Sequence, residues 1–225
     1  MPYELPKAPS LELIAKLGVL ADYYDCVKLV KYYADISLTP ETLAMAQTVV
    51  NDEYKRDLIM RVWVTWLFDH PSRFRSYTSS VVQLAQAPNC SPGLSIPSKV
   101  IDEMNNRRTA AIEKASSLLA AERHAILRDK TRCTPACRSV TLGTLLIFIN
   151  TNRVLIPKGP YVGIVLRDLV ASMKALKTPT WREYVLRDNH PYRWHECDYS
   201  SFTEIFRSLS DQVDGLELSA FKPSA

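Results

Sequence analysis

Residues 97–128, with the sequence PSKVIDEMNNRRTAAIEKASSLLAAERHAILR, decide the fold because they predict one long helix. Apolar residues recur there at steps of three and four, the spacing that lines one face of an α-helix. This face comprises Ile101, Met104, Ala111, Ile112, Ala115, Leu118 and Leu119. Further helices are predicted over residues 10–36, 39–50, 56–68, 71–86, 140–152 and 200–213. The sequence therefore predicts an all-α fold, a compact multi-helix domain.

The composition supports a helical globular protein. Of the 225 residues, 47% are hydrophobic and 23% charged, and only 6 are glycine, fewer than tight-turned sheet folds normally need. We predict a flexible N-terminus (1–9), one helical domain (10–213) and a flexible tail (214–225). A Pro-rich loop at 87–97 can divide the domain into lobes of residues 10–86 and 97–213.

Charge and hydropathy exclude several classes of protein. The net charge of +4 is too small for strong steering towards nucleic acid or anionic membranes. No stretch reaches the ~18 consecutive apolar residues that cross a bilayer, and no basic segment leads into an apolar one at the start. We therefore expect an intracellular protein, in the cytoplasm or nucleus, without a membrane partner. Its five cysteines fit a reducing compartment.

Two short cysteine-bearing motifs indicate a metal site. Cys133-Thr-Pro-Ala-Cys137 and, further along, His195-Glu-Cys197 supply three thiols and one imidazole, a set that binds structural zinc in a closed tetrahedral site. His190 is the reserve ligand. Such a site would stabilise the irregular C-terminal part, residues 177–197, by joining it to the turn after the long helix. Alternatively, the two cysteines of the first motif are small buried residues and His195 is a surface imidazole.

An enzyme is a weaker interpretation of the same residues. A cysteine near His195 could act as a nucleophile, or an open zinc could activate water. However, a third thiol closes the metal site, and the common phosphate-binding, dinucleotide-binding, serine-hydrolase and metalloprotease motifs are all absent from the sequence. We therefore predict that the chain is not an enzyme.

Basic residues gather at the end of the long helix and in the cysteine-bearing turn. They are Arg123, Arg128, Lys130, Arg132 and Arg138, against Glu122 and Asp129. A solvated helix end is the favoured interpretation, since basic residues suit the negative pole of a helix; contact with an anionic partner is the alternative. We assign the aromatic residues to the core, because they alternate with aliphatic rather than basic residues. These are Tyr23, Tyr24, Tyr32, Tyr33, Trp63 and Trp66.

An ordered string of motifs resembles the region that follows the BTB/POZ domain in fungal BTB-domain proteins, across about residues 11–210. The string is Val19-Leu-Ala-Asp-Tyr-Tyr-Asp-Cys26, Arg56-Asp-Leu-Ile, Trp63-Val-Thr-Trp66, Ile96-Pro-Ser-Lys-Val-Ile-Asp-Glu-Met-Asn-Asn-Arg107, Cys133-x3-Cys137, Leu142-Gly-Thr-Leu145, Pro179-Thr-Trp181 and His195-x-Cys197. The resemblance implies a metal site shared by the two cysteine-bearing motifs and an adaptor that binds other proteins. Only the end of a BTB fold would fit before Tyr23, so we expect neither that fold nor its dimerisation here.

Together these observations predict a protein–protein interaction module stabilised by structural zinc. The alternative is a nucleic-acid-binding protein that uses the basic end of the long helix. A second alternative is a zinc- or Cys/His-dependent enzyme of unfamiliar class.

Overall fold

A computed structural model describes residues 9–37, 52–90, 93–128, 134–154, 159–184, 192–195, 201–210 and 213–222. The elements in these ranges are α1 (Leu11–Tyr23), α2 (Val27–Ser37), α3 (Asp52–Leu67), α4 (Pro71–Leu84), α5 (Ser98–Arg128), α6 (Pro135–Asn152), α7 (Leu166–Ala175), β1 (Arg182–Tyr184), β2 (Tyr192–Trp194), α8 (Phe202–Phe206) and a 3-10 helix, η1 (Leu218–Ala220). The described chain is mainly helical, which confirms the all-α prediction. The helix predicted over 39–50 lies outside the described residues.

The chain divides into two compact units. The first contains residues 1–108 and 212–225, and the second contains residues 109–211. The boundary falls within α5, whereas the sequence predicts a division at 87–97. Hydrogen bonds explain why this loop stays with the first unit: the Asn89 N–H donates to Asn105 Oδ1 over 2.7 Å, and Arg108 Nε donates to the Ala85 carbonyl over 3.0 Å.

Helix α1 packs closely against α3 in the first unit. It begins after its cap residue, Ser10, whose Oγ accepts a hydrogen bond from the Leu13 N–H over 3.3 Å. A β-carbon at Gly18 would lie 2.8 Å from Leu67 Cδ2, so glycine allows this approach. The helix predicted over 10–36 is divided into α1 and α2, because Asp25 adopts a left-handed conformation with φ 51°.

Helices α3 and α4 form the centre of the first unit. Trp63, Phe68 and Phe74 are completely buried. Trp66 is half-buried and stacks on Trp63 with 5.5 Å between ring centroids. The core prediction is therefore confirmed for Trp63, and Trp66 lies at its edge.

Residues 213–222 pack onto α4 instead of forming the flexible tail predicted from residue 214. Leu216 and Leu218 are buried, and the Leu216 N–H donates to Thr78 Oγ1 over 2.8 Å. Since leucine burial is favourable by ~1.5–3 kcal/mol per side chain, this segment belongs to the core of the first unit.

The second unit is built on the C-terminal part of α5, where Ile112, Ala115 and Leu119 are completely buried. Ser116 Oγ donates to the Val154 carbonyl over 3.1 Å, which connects α5 to the end of α6. Five members of the predicted apolar face of α5 are buried, and the other two, Ala111 and Leu118, are half-buried.

The closing helix of the second unit is shorter than the predicted 200–213. Helix α8 begins after the cap Ser201, whose Oγ accepts from the Glu204 N–H over 3.3 Å, and ends at Phe206. Ser208 and Ser210 follow, and serine favours caps and turns over helix interiors. Within the described part of the chain, no helix is both long and apolar enough to span a membrane.

Candidate metal centre and exposed surfaces

Cys137, a predicted ligand from the first cysteine-bearing motif, lies in the first turn of α6. Thr134 caps this helix, since its Oγ1 accepts a hydrogen bond from the Cys137 N–H over 3.2 Å. The Cys137 side chain is completely buried, and its Sγ lies 4.0 Å from Thr141 Oγ1 one turn later. The local sequence Thr-Pro-Ala-Cys, with a hydroxyl cap and proline at the first helical position, fixes this arrangement.

His195 lies at the end of a short antiparallel ladder between β1 and β2, in which Arg182 pairs with Trp194. The His195 N–H donates to the Trp181 carbonyl over 3.0 Å, which extends the ladder. The imidazole stacks on the Trp181 indole, with centroids 4.3 Å apart and an interplanar angle of 15°. The orientation of the half-buried His195 ring is thereby fixed.

The other three predicted ligands, Cys133, Cys197 and the reserve His190, lie outside the described residues. In the described ranges, no group of three or more His, Cys, Asp or Glu side chains is arranged to hold a metal ion. The four-ligand zinc site therefore stays a prediction. The structure places two of its members, one on α6 and one at the end of β2.

The basic residues of the predicted anionic-partner patch are only partly described. Arg128 is exposed in the last turn of α5, as expected for a cation at the negative pole of a helix. Arg123 and Arg138 are half-buried. Lys130 and Arg132 lie outside the described residues, so a continuous basic surface stays a prediction.

The most exposed large apolar residues of the first unit lie on α1, at its end and on α2. They are Leu20, Tyr23, Tyr24, Leu29 and Tyr32, which we call the Tyr–Leu surface. Their exposed fractions run from 55% at Leu20 to 82% at Leu29. The Tyr23 and Tyr24 rings contact each other edge to face, with centroids 5.0 Å apart.

The exposure of Tyr23, Tyr24 and Tyr32 shows that their assignment to the core was wrong. The two tyrosines at 23–24 are adjacent in sequence, and neighbouring positions of a helix point in directions about 100° apart. A narrow buried face cannot hold both residues of such a pair. This doubling of large apolar residues was the signal that sequence analysis missed.

A second exposed apolar strip lies on α6 in the second unit. Val140, Leu146 and Ile147 are 39%, 42% and 70% exposed, and between Arg138 and Arg153 the sequence has no charged residue. This strip has three exposed apolar residues against five in the Tyr–Leu surface, and all three are aliphatic.

No family model matches the chain, and no curated protein or solved structure is significantly similar to it.

Proposed function

We propose that this chain is a non-catalytic protein–protein interaction module whose Tyr–Leu surface binds another protein. The observation that carries the proposal is the concentration of five large apolar side chains, each at least 55% exposed, on α1, at its C-terminal end and on α2. Leaving apolar area in water costs about 25 cal/mol per Å², and concentrated exposed apolar area is typical of interaction sites.

The residue types also support a protein partner. Tyrosine is enriched among the residues that contribute most to binding, because a rigid ring offers a large contact area and the hydroxyl can still hydrogen-bond. The rings at positions 23, 24 and 32 supply three such groups. The resemblance to regions that follow BTB domains leads to the same class, an adaptor for other proteins.

The interaction is tested by mapping the contact first and measuring affinity second. A photo-crosslinking phenylalanine analogue at Tyr32 identifies the contacted protein, and the same analogue at Lys114, an exposed residue of the second unit, is the position control. The affinity of the identified protein is then measured for the Leu29→Ser/Tyr32→Ser variant. We expect at least a tenfold loss of affinity, about 1.4 kcal/mol.

The matched control for that variant is Ile147→Ser, which removes an exposed apolar side chain from the other unit. Its affinity should equal that of the wild type, and both variants should keep the wild-type melting temperature because the substituted side chains are exposed. An unchanged affinity of the Leu29→Ser/Tyr32→Ser variant would refute the proposed surface. A steep loss of binding with salt would favour an electrostatic, nucleic-acid-like interaction instead.

We also propose that structural zinc stabilises the second unit through Cys133, Cys137, His195 and Cys197. Cys133 directly precedes the cap Thr134 in the sequence and lies four positions before Cys137. The spacing thus suits two thiols that approach one ion at the start of α6. When bound, zinc would hold the irregular segment to this helix.

The donor set fits zinc at the two described positions. Stacking on Trp181 uses the face of the His195 imidazole, whereas a ring nitrogen binds metal through a lone pair in the ring plane. The stack is thus compatible with ligation and would orient the ring. Cys137 is buried, as a ligand of a closed structural site must be.

Metal analysis of the purified chain tests this part of the proposal. We expect about one equivalent of zinc in the wild type, its loss in Cys133→Ser, and a lower melting temperature for that variant. Cys90→Ser is the control, since Cys90 is an exposed cysteine outside the motifs, and it should keep both metal and stability. A wild-type chain without zinc, or equal metal content in both variants, would refute the site.

A further inference from the structure

A cleft in the first unit lies between α1, α3 and the residues that precede α5. Its volume is about 430 Å³, within the ~300–1,000 Å³ typical of small-molecule sites. Its apolar lining comprises Ala15, Val19, Leu20, Met60 and Leu94. The cleft is thus a preformed apolar space of ligand size.

Three charged residues, Glu12, Lys16 and Arg56, also line this cleft. Glu12 Oε1 contacts Lys16 Nζ at 3.1 Å and Arg56 Nη2 at 3.2 Å, so α1 and α3 are joined by a triad with a net charge of +1. Both cations lower the pKa of Glu12. The hydrogen bond with Lys16 has the largest effect and the hydrogen bond with Arg56 the next largest, so the Glu12 carboxylate stays ionised near neutral pH. The triad shows that the space between the two cations suits a carboxylate.

The two cations are open to a further anion. The side chains of Lys16 and Arg56 are 70% and 58% exposed. The contact with Glu12 uses one nitrogen of the guanidinium, which carries five N–H donors in all. A second carboxylate can therefore bind beside Glu12, and it would neutralise the remaining positive charge.

We propose that this cleft binds a small amphipathic carboxylate, with its apolar part against Val19, Leu20 and Met60 and its carboxylate at Lys16 and Arg56. The apolar lining would favour the apolar part by burial, and the net positive charge selects an anion over a cation or a neutral molecule. Decanoate is a suitable probe, because it combines an unbranched apolar chain with a single carboxylate. This site shares Leu20 with the Tyr–Leu surface, but it requires neither zinc nor a bound partner.

The test is a titration of the full chain with decanoate, which is monitored by NMR through the methyl resonance of Met60 and, in parallel, by calorimetry. We expect one site with a dissociation constant on the order of 0.1 mM, as ligand efficiencies for about twelve heavy atoms suggest. Decanol and decyltrimethylammonium are the neutral and cationic comparisons, and both should bind at least fivefold more weakly.

Substitutions separate the contributions of charge and shape. The Lys16→Gln/Arg56→Gln variant should bind decanoate about five- to tenfold more weakly and bind decanol with unchanged affinity. The variant should keep the fold, because both side chains are exposed. Lys114→Gln, a surface lysine of the second unit, is the matched control and should have no effect. Val19→Trp fills the cleft and should abolish binding of all three probes.

Several results would overturn the proposal. Equal binding of decanoate and decanol would show that the two cations recognise no carboxylate. Binding of several equivalents, or shifts that leave the Met60 methyl unchanged, would show association elsewhere on the surface. Since the Leu29→Ser/Tyr32→Ser variant keeps every residue of the cleft, its decanoate binding stays normal whether or not the Tyr–Leu surface binds a partner.

Discussion

Replacing Gly215 with alanine should detach the C-terminal segment 213–222 from α4. A β-carbon at position 215 would overlap the carbonyl carbon and oxygen of Arg75, and these are backbone atoms of α4. The segment must therefore move by roughly an ångström or more to reach a normal contact distance of ~3.5 Å. Such a shift is larger than the hydrogen bonds of this segment can tolerate.

The expected cost follows from the contacts that this shift breaks. Leu216 is completely buried, and partial loss of this burial costs up to ~1.5–3 kcal/mol. The bonds from the Leu216 N–H to Thr78 Oγ1 and from Ser79 Oγ to the Val213 carbonyl, at 2.8 and 2.6 Å, contribute about 1 kcal/mol each. We expect the free energy of unfolding to fall by about 3 kcal/mol, given that the segment can relax in part.

Gly143→Ala is the matched control for this substitution. Gly143 lies within α6, and a β-carbon there meets no atom within 4 Å. Alanine should therefore stabilise the helix by ~0.5–1 kcal/mol. The two glycine-to-alanine changes are thus expected to have opposite signs.

The assay combines urea unfolding with hydrogen exchange of the Leu216 amide. This amide should lose protection in Gly215→Ala because its acceptor, Thr78 Oγ1, moves out of range. Tryptophan fluorescence is a suitable probe of the same segment, since Lys222 Nζ lies 5.4 Å from the centre of the Trp66 ring. A Gly215→Ala variant within ~0.5 kcal/mol of the wild type, with unchanged exchange at Leu216, would refute this account of the segment.

Three further predictions concern single residues of the first unit. Arg108→Ala should lower the unfolding free energy by about 3 kcal/mol in urea titrations, because it removes a buried guanidinium and the donor to the Ala85 carbonyl; a loss under about 1 kcal/mol would contradict this. Burial lowers the pKa of His70 although its Nε2 lies 3.0 Å from Asp35 Oδ1. The unfolded chain therefore binds the proton first: His70 should contribute its full stability above about pH 6.5 and lose it as the pH falls through the folded-state pKa. Replacement by asparagine should flatten this part of the pH profile of stability, and an unaltered profile would count against the assignment. Ser10→Ala should cost about 1 kcal/mol through loss of the α1 cap, measured by thermal melting against Ser10→Asp, which keeps a cap and should be near neutral.

Local signals in the sequence were sufficient for most of the helices. Pro71 and the Pro97–Ser98 pair mark helix starts, since proline suits the first positions of a helix, and α4 and α5 begin at or next to the predicted residues. The turn at Asp25 carries neither glycine nor proline, and aspartate tolerates a positive φ but is also common within helices. The division of the 10–36 run was therefore beyond a periodicity argument.

Long-range packing was the part that the sequence could not provide. Leu216 and Leu218 alternate with charged and small residues in a short segment, and only the surface of α4 explains their burial. The apolar cleft was likewise unpredicted, because Lys16 and Arg56 are 40 positions apart in sequence and meet through Glu12. Of the predicted metal ligands, Cys137 lies in the first turn of α6 and His195 directly follows β2, and the zinc site itself stays a prediction.

The return of residues 212–225 to the first unit has a consequence for biosynthesis. The chain must add all 103 residues from 109 to 211 before the segment that covers α4 exists. At ~5–20 residues per second, elongation through this insertion takes roughly 5–20 s, and during this time the α4 surface that the segment packs against stays uncovered. We therefore expect the nascent N-terminal part to be a chaperone client, and a deletion of residues 213–222 to act as a folding mutation.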